Sequence, residues 1–428
     1  MGHCVGKIQM MTILRNIKRN SVLCSPTKCV VYFVAVLICV FVAGVTINID
    51  ILRNIAKQTQ NQAMVHNSSI IPLDNSSSSF SNTVVSSQRP RIAVAITVTK
   101  DGPFVDGALV LGYAAKKYHS AAKGFPSDFN IDLIAFVTKK VKTTRTVLRK
   151  FGWKILEKDL PVALSEIQNK DYADRMKDSG CCGADEFLKL WAYTLTQYER
   201  VIHLDMDCII FKNLDKLVRI DKELLYTGDY NMKGGSPVAP AQGGFLVIRP
   251  SLERFKEFQA IIRKGDHGPQ GWGGSHIGNF WGGQTIQGIM PYFYHVIHNG
   301  DGEELNRCEY NNMVDNPYHK NTKRCIDGHE TCEDCRLSDP EQAHTAHFTI
   351  CQKPWTCVLN NNPNNMVNCK AFHTKWFQLR DEFEQDLGID PSYRKRNTRY
   401  QESLGMCKGY GDDKYLPLPI DKITKTLA

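Results

Sequence analysis

From Arg91 onward the chain alternates short apolar runs with amphipathic stretches. The run Ile92-Ala93-Val94-Ala95-Ile96-Thr97-Val98 is almost wholly apolar and rich in β-branched residues, the pattern of a strand buried on both faces. Residues 105–118 then predict a helix, 131–137 a second strand, 142–151 a basic helical segment and 153–156 a short strand. Past Asp185, the apolar residues Phe187, Leu188, Leu190, Trp191 and Leu195 recur at helical spacing, which predicts a helix laying one face on a sheet. It runs into a strand at 200–204. Another strand is read at 244–248, and Ser251 is placed to cap a helix carrying Leu252, Phe255, Phe258 and Ile262. Strand and helix in alternation define an α/β domain. Residues 265–283 fit neither element. Their glycines interleave with His267, Trp272, His276, Phe280 and Trp281, which reads equally as a loop lining a pocket or as a surface loop.

Upstream the patterning changes. Cys29 to Ile47 is a run of 19 residues without a charge, the length of a helix that crosses a bilayer. Lys7, Arg15, Lys18, Arg19 and Lys28 precede it. Residues 1–28 are therefore expected as a cytosolic tail, 29–47 as a signal anchor, and the bulk of the chain on the lumenal side. A cleaved signal peptide is the competing reading, but the run exceeds an h-region of about 7–15 residues. Residues 48–90, with Asp74-Asn75-Ser76-Ser77-Ser78-Ser79, bury too little apolar surface to order and read as a flexible stem. Asn67 and Asn75 each open an Asn-x-Ser sequon there. A main domain over 91–385 and a C-terminal extension over 386–428 complete the expected layout.

Composition refines this in two ways. The formal charge is +9, but five of those charges precede the apolar span, so no nucleic-acid partner is expected. Eleven cysteines follow the stem, which suits an oxidising compartment. Cys332-Glu333-Asp334-Cys335 is compatible with a zinc knuckle, a redox pair or a disulfide-stapled subregion, and the lumenal topology favours the last. The odd count leaves at least one thiol over.

The chemistry concentrates in two places. His203-Leu204-Asp205-Met206-Asp207-Cys208 sets two carboxylates one residue apart at the end of an apolar strand, where residues i and i+2 point the same way. Two hard oxygen donors suit Mn²⁺ or Mg²⁺, with diphosphate and water completing the octahedron. A pair of solvated turn carboxylates is the alternative. Farther on, His344-Thr345-Ala346-His347-Phe348-Thr349-Ile350-Cys351-Gln352-Lys353-Pro354-Trp355 carries an imidazole and an ammonium six residues apart. His347 can serve as a third ligand and Lys353 can neutralise a phosphate.

With these motifs in view, residues 91–380 resemble the glycogenin-like retaining glycosyltransferases, family 8. Gly107-Ala108-Leu109-Val110-Leu111-Gly112 is similar to the family's first-helix motif, and Lys189-Leu190-Trp191 with Leu195-Thr196-Gln197-Tyr198 to the lead-in to its Asp-x-Asp strand. Asn213-Leu214-Asp215-Lys216-Leu217 is similar to the segment that follows, and Lys353-Pro354-Trp355 to the C-terminal motif. The resemblance implies a GT-A fold with a mixed, mainly parallel sheet, a nucleotide-sugar donor carrying uridine diphosphate, and a glycan or glycoprotein acceptor. It implies Mn²⁺ or Mg²⁺ on Asp205, Asp207 and His347, and Lys189 and Lys353 on the donor sugar or phosphate. Val98, Lys100, Asp101 and Phe104 are implied to line the base and ribose, Met206 to contact the nucleotide sugar, and Gln242-Gly243-Gly244 to face the sugar. Joined to the single-pass type II layout, it implies a Golgi membrane enzyme, with a homodimer as a further expected assembly. The chain departs from glycogenin at Gln242-Gly243-Gly244, where glycogenin has Asn-Ser-Gly, at Phe104, where it has Tyr, and at Ile350, where it has Gly. The family's Asp-Gln-Gly is replaced by Gly282-Gly283-Gln284-Thr285-Ile286-Gln287-Gly288, in which Gln284 or Gln287 takes the place of the missing carboxylate.

Such a transfer must stabilise a nucleoside-diphosphate leaving group, the task that an acidic pair, a His and a Lys can share. No carboxylate is assigned as covalent nucleophile, so departure and attack on one face is the expected route to retention. A haloacid-dehalogenase-type phosphohydrolase also places Asp-x-Asp after a strand, but it wants Thr or Val where Ile209 stands. A catalytically silent sugar-binding or scaffold protein of the same fold is the other alternative, motivated by the missing carboxylate.

Overall fold

The computed structural model describes residues 89–180, 182–358, 366–394 and 398–427. The expected tail, membrane span, sequons and all but the end of the stem lie outside them. No helix among the described residues is long and apolar enough to cross a membrane.

In chain order the strands are β1 (Arg91–Val98), β2 (Asn130–Val137), β3 (Trp153–Glu157), β4 (Arg200–Leu204), β5 (Cys208–Ile210), β6 (Leu224–Gly228), β7 (Ala241–Ile248), β8 (His267–Gly268), β9 (Gly271–Trp272), β10 (Gly302–Glu304) and β11 (Thr345–His347). Seven of them form the central sheet in the order β10-β6-β7-β4-β1-β2-β3. β1 lies parallel to β2 and β4, β2 to β3, and β10 to β6. β7 alone in this sheet runs antiparallel, to both β4 and β6. The sheet is mixed and mainly parallel, as expected. β5 and β11 form a separate antiparallel pair beside it.

Two cores sandwich the sheet, and the period of two along β1 sorts residues between them. Ile92, Val94, Ile96 and Val98 face the core shared with helices α1 (Phe104–Lys117), α2 (Thr143–Phe151) and, at the far end of the chain, Met366–Asp386. Ala93 and Ala95 face the other core, which holds α3 (Lys170–Lys177), α4 (Leu252–Lys264) and α5 (Ile286–Tyr292). Ser251 caps α4 as expected, its Oγ accepting from Arg254 N–H at 3.3 Å. The long helix α6 is the Met366–Asp386 segment, and its Phe372, Trp376, Leu379 and Phe383 are buried along one side.

One expectation changes on meeting the structure, the cysteine alternatives narrow to the favoured one, and the C-terminal segment finds its place. The segment predicted as an α-helix from Asp185 is a run of 3-10 turns, Gly183–Thr194. In that geometry residues three apart align, which stacks Phe187, Leu190 and Tyr193 into the core and sets Glu186 over Lys189. The cysteines form disulfides Cys308–Cys335, Cys325–Cys332, Cys351–Cys369 and Cys357–Cys407. Cys332 and Cys335 thus staple different loops, which removes the zinc-knuckle and redox-pair readings, and Cys208 is a buried thiol outside these bridges. Residues beyond 386 are built into the first core through Ile389, Met406, Leu418 and Ile423. There the buried Asp106 of α1 accepts from Tyr415 Oη at 2.7 Å and from Leu418 N–H at 2.8 Å.

Candidate active site

β4 ends at Leu204 and the chain turns, Cys208 N–H donating to Asp205 O at 2.9 Å before β5 begins. Asp205 and Asp207 therefore sit on a turn rather than on a continuing strand, and their side chains meet different partners. Asp205 is tied to β7 by its N–H, which donates to Gly244 O at 3.1 Å. Asp207 is tied to the segment after β11, its carbonyl accepting from Phe348 N–H at 2.9 Å, while the β5–β11 register sets Cys208 opposite His347.

On one side Lys189 Nζ lies 2.9 Å from Asp205 Oδ1 and 2.8 Å from Glu186 Oε2, and donates to Gly243 O at 3.0 Å. Burial lowers this ammonium's pKa, but the two carboxylates more than offset it, so Lys189 stays charged. Burial raises the Asp205 carboxyl, with Lys189 opposing. On the other side Asp207 Oδ1 lies 3.3 Å from His347 Nε2, and its Oδ2 lies 3.0 Å from Lys353 Nζ. Burial raises the Asp207 carboxyl, yet His347 and Lys353 hold it well below the usual carboxylate range. Burial lowers the His347 imidazole, and the adjoining Cys208 sulfur and Asp207 carboxylate outweigh it.

Glycine at 244 is what lets the imidazole in. A Cβ there would stand 2.3 Å from His347 Cε1 and 2.8 Å from Nδ1. Gly107 plays the same part for the Lys-Pro-Trp turn, where a Cβ would meet Met206 O at 2.3 Å and the Trp355 ring at 2.5 Å.

Asp207, Cys208 and His347 bring one ligand atom each to within 4.8 Å of one another, and this group could hold a metal ion. Adjacent ligands of an octahedral Mg²⁺ at ~2.1 Å are separated by about 3 Å. The 3.3 Å between His347 Nε2 and Asp207 Oδ1 fits that spacing. Asp205, engaged with Lys189, stands outside the tight group but lines the same cleft.

That cleft has a volume of about 580 Å³. It brings together Lys189, Asp205, Asp207, Gln242, Gly243, Gly244, Gln287, His347 and Lys353 from the expected set. Of the two glutamines offered in place of the family carboxylate, Gln287 lines the cleft, whereas Gln284 does not; its backbone carbonyl accepts from Tyr172 Oη at 2.9 Å. Val98, Lys100, Asp101, Phe104 and Met206 are not among its lining residues. Asp101 instead accepts N–H groups of Lys142, Thr143 and Thr144 at 2.9, 3.3 and 2.8 Å, capping α2. Phe104 packs edge-on against Trp355 at 5.4 Å. The Gly-rich loop divides its aromatics, Trp272 entering the core and Trp281 facing the cleft. Sequence reasoning missed Glu186, Asp229, Asp315 and Arg336 in the lining. Only Glu186 carried a signal, its spacing of three from Lys189.

Sequence similarity to known proteins, over up to about half of the chain, now bears on these residues. Rabbit (Oryctolagus cuniculus) glycogenin-1 is 24% identical over 204 residues, 47% of this chain and 55% of glycogenin-1. Human glycogenin-2 is 25% identical over 219 residues, 48% of this chain and 37% of that protein. The chain is similar to the glycogenins. The resemblance drawn from four motifs is thus matched by sequence similarity over about half of the chain. A relative from Acanthamoeba polyphaga mimivirus, uncharacterized protein R707, is 28% identical over 174 residues, 38% of this chain and 56% of R707. The chain spans a little over half the length of R707 and of rabbit glycogenin-1. No protein-family model matches it. Among solved structures, the bifunctional glycosyltransferase WbbM overlays with a TM-score of 0.42 at 12% identity, over 68% of this chain and 50% of WbbM, too distant to guide any residue.

Proposed function

We propose that this glycogenin-like chain is a metal-dependent glycosyltransferase that moves a hexose-type sugar from a nucleotide sugar, with uridine diphosphate as leaving group, to a glycan or protein acceptor with retention. The observation that carries the reading is the convergence of Asp205, Asp207, His347, Lys189 and Lys353 on one cleft in a sequence similar to the glycogenins. A divalent cation on Asp207 and His347, with Asp205 beside them, would supply charge neutralisation to the diphosphate. Lys353, half-buried against Asp207, is positioned to follow the negative charge as it develops on the leaving group. Lys189 holds Asp205 in place from a fully buried position. Gln287 offers an amide to the sugar where the family has a carboxylate. In the transfer the donor C1–O bond to phosphate breaks, the acceptor hydroxyl oxygen bonds to C1, and the hydroxyl proton leaves with the diphosphate. The apolar span and basic tail support a type II Golgi membrane enzyme.

The test is donor hydrolysis by the purified full chain across a panel of nucleotide sugars, with Mn²⁺, with EDTA and with Asp207→Ala. Hydrolysis of a donor that disappears with chelator and with the substitution is expected. A wild-type chain that neither binds nor turns over any donor in Mn²⁺ sinks the reading and leaves the silent protein of the same fold.

A further inference from the structure

The cleft continues past Gln242 to a wall that the donor chemistry leaves unused. Asp229, just after β6, is buried there, and burial together with the charge of Asp315 pushes its carboxyl up to about 6. Asp315 comes from the segment stapled by Cys308–Cys335 and Cys325–Cys332. Its Oδ2 accepts from Asn231 Nδ2 at 3.4 Å and from Arg307 Nε at 3.3 Å. Its Oδ1 is buried without a hydrogen-bond partner among the described residues, although Asp315 lines the cleft and is only 2% exposed. A buried carboxylate oxygen without a donor is a costly arrangement that a ligand's N–H or O–H would relieve. Trp281 lines the same cleft with 60% of its surface exposed, a large flat ring that no core element covers.

Charge narrows the kind of ligand. Arg307 is engaged with Asp315, and Arg336 is closed on Asp334 by two contacts of 2.8 and 2.6 Å. Asp229 and Asp315 therefore leave the wall neutral to negative, which disfavours a phosphate or a carboxylate. A neutral hydroxyl donates a hydrogen bond to a carboxylate without adding charge. A ring bearing hydroxyls on its edge and C–H groups on its face uses both the carboxylates and an exposed indole.

We propose that this wall is an acceptor subsite for a neutral sugar unit, with Asp315 and Asp229 accepting its hydroxyls and Trp281 covering an apolar face of the ring. The assignment rests on the transferase reading above and adds the acceptor's chemical class to it. The two disulfides fix the loop that carries Asp315, so the subsite is formed before the acceptor arrives.

The experiment uses the full chain and p-nitrophenyl glycosides of glucose, galactose, xylose, mannose and N-acetylglucosamine as probes. Binding is read by saturation-transfer NMR, and turnover as the ratio of glycoside transfer to donor hydrolysis. At least one glycoside is expected to bind the wild type and to be glycosylated. Trp281→Ala and Asp315→Asn should each raise its Kd at least about tenfold and lower the transfer-to-hydrolysis ratio by a similar factor. If Asp315→Asn does not fold, Trp281→Ala, at an exposed position, decides alone. Unchanged binding and an unchanged ratio in the folded variants overturn the subsite. So does a wild type that hydrolyses a donor but binds none of the glycosides. Glycoside binding that Trp281→Ala removes, in a wild type that hydrolyses no donor, upholds the sugar site and sinks the transferase reading instead.

Discussion

Gly244 shows how narrowly single residues set the site. Gly244→Ala puts a methyl group inside the volume of the His347 ring. Overpacking of this kind costs about 1–3 kcal/mol, and here the strain falls on the proposed metal ligand His347. The expected outcome is a lower thermal midpoint together with weaker Mn²⁺-dependent binding of uridine diphosphate by calorimetry. A variant that loses stability alone would mean that the imidazole had moved without consequence. Lys189 makes the opposite case. Removing its ammonium leaves the buried Glu186 beside the half-buried Asp205 without their cation, and breaking a buried pair from one side costs about 3–5 kcal/mol. Lys189→Met should therefore lower the unfolding free energy measured in urea by about the Glu186–Lys189 share of that cost, and Glu186→Gln in the same background should recover part of it. Recovery is the informative readout, since a purely steric role for Lys189 would show none.

Elements carry a second set of expectations. The carboxylate of Asp101 caps α2 from a loop 41 to 43 residues away in sequence, whereas the resemblance implies that it touches ribose. Asp101→Ala separates the two roles, because loss of a cap costs about 1 kcal/mol and leaves the affinity for uridine diphosphate where it was. A fall in that affinity instead would place Asp101 at the nucleotide. The elements that could be read from sequence were those whose periodicity is enforced by burial on two sides. β1 and the Phe245–Ile248 end of β7 are apolar runs, β2 and β4 are apolar past their first residues apart from Asp132 and His203, and α4 announces itself through Ser251 and its buried Phe255, Phe258 and Ile262. The 3-10 turns at Gly183–Thr194 were misread because a spacing of three and a spacing of 3.6 share positions over so short a stretch. α6 passed unnoticed although Phe372, Trp376, Leu379 and Phe383 follow the helical period. The turn at Asp205–Asp207 could not be seen, because its geometry depends on β7 and on the residues after β11, far away in the chain.

At the scale of the whole molecule, the legible half and the illegible half differ in what holds them. Residues 91–264 are ordered by strand and helix burial. The wall formed by 305–340 has few regular elements and is kept in shape by disulfides and buried polar contacts such as Arg307–Asp315, so periodicity had nothing to report there. This has a consequence for pH. Burial and Asp315 raise the folded-state carboxyl of Asp229 to about 6 from its ordinary 3.8. The folded protein then holds a proton that the unfolded chain has released, and stability falls as pH rises from about 4 to 6. Buried His373, lowered by burial to about 4, pulls the other way, adding stability as pH rises toward 6.5. The clean measurement is therefore a difference: Asp229→Asn minus wild type, by urea unfolding at pH 4 and pH 7. The variant should gain relative stability at pH 7, and no gain would mean that Asp229 is ionised at little cost in the fold.

The Cys357–Cys407 bridge lies four residues beyond Lys353 and reaches 50 residues along the chain, to the segment whose Tyr415 and Leu418 close on Asp106. Lys353 is thus fastened by parts of the polypeptide that leave the ribosome well after it does. Competence becomes a property of the completed and oxidised chain. A nascent, truncated or reduced molecule would carry every residue of the central cleft and still lack the clasp that keeps Lys353 on Asp207, which makes biosynthetic maturity itself a condition for the chemistry to begin.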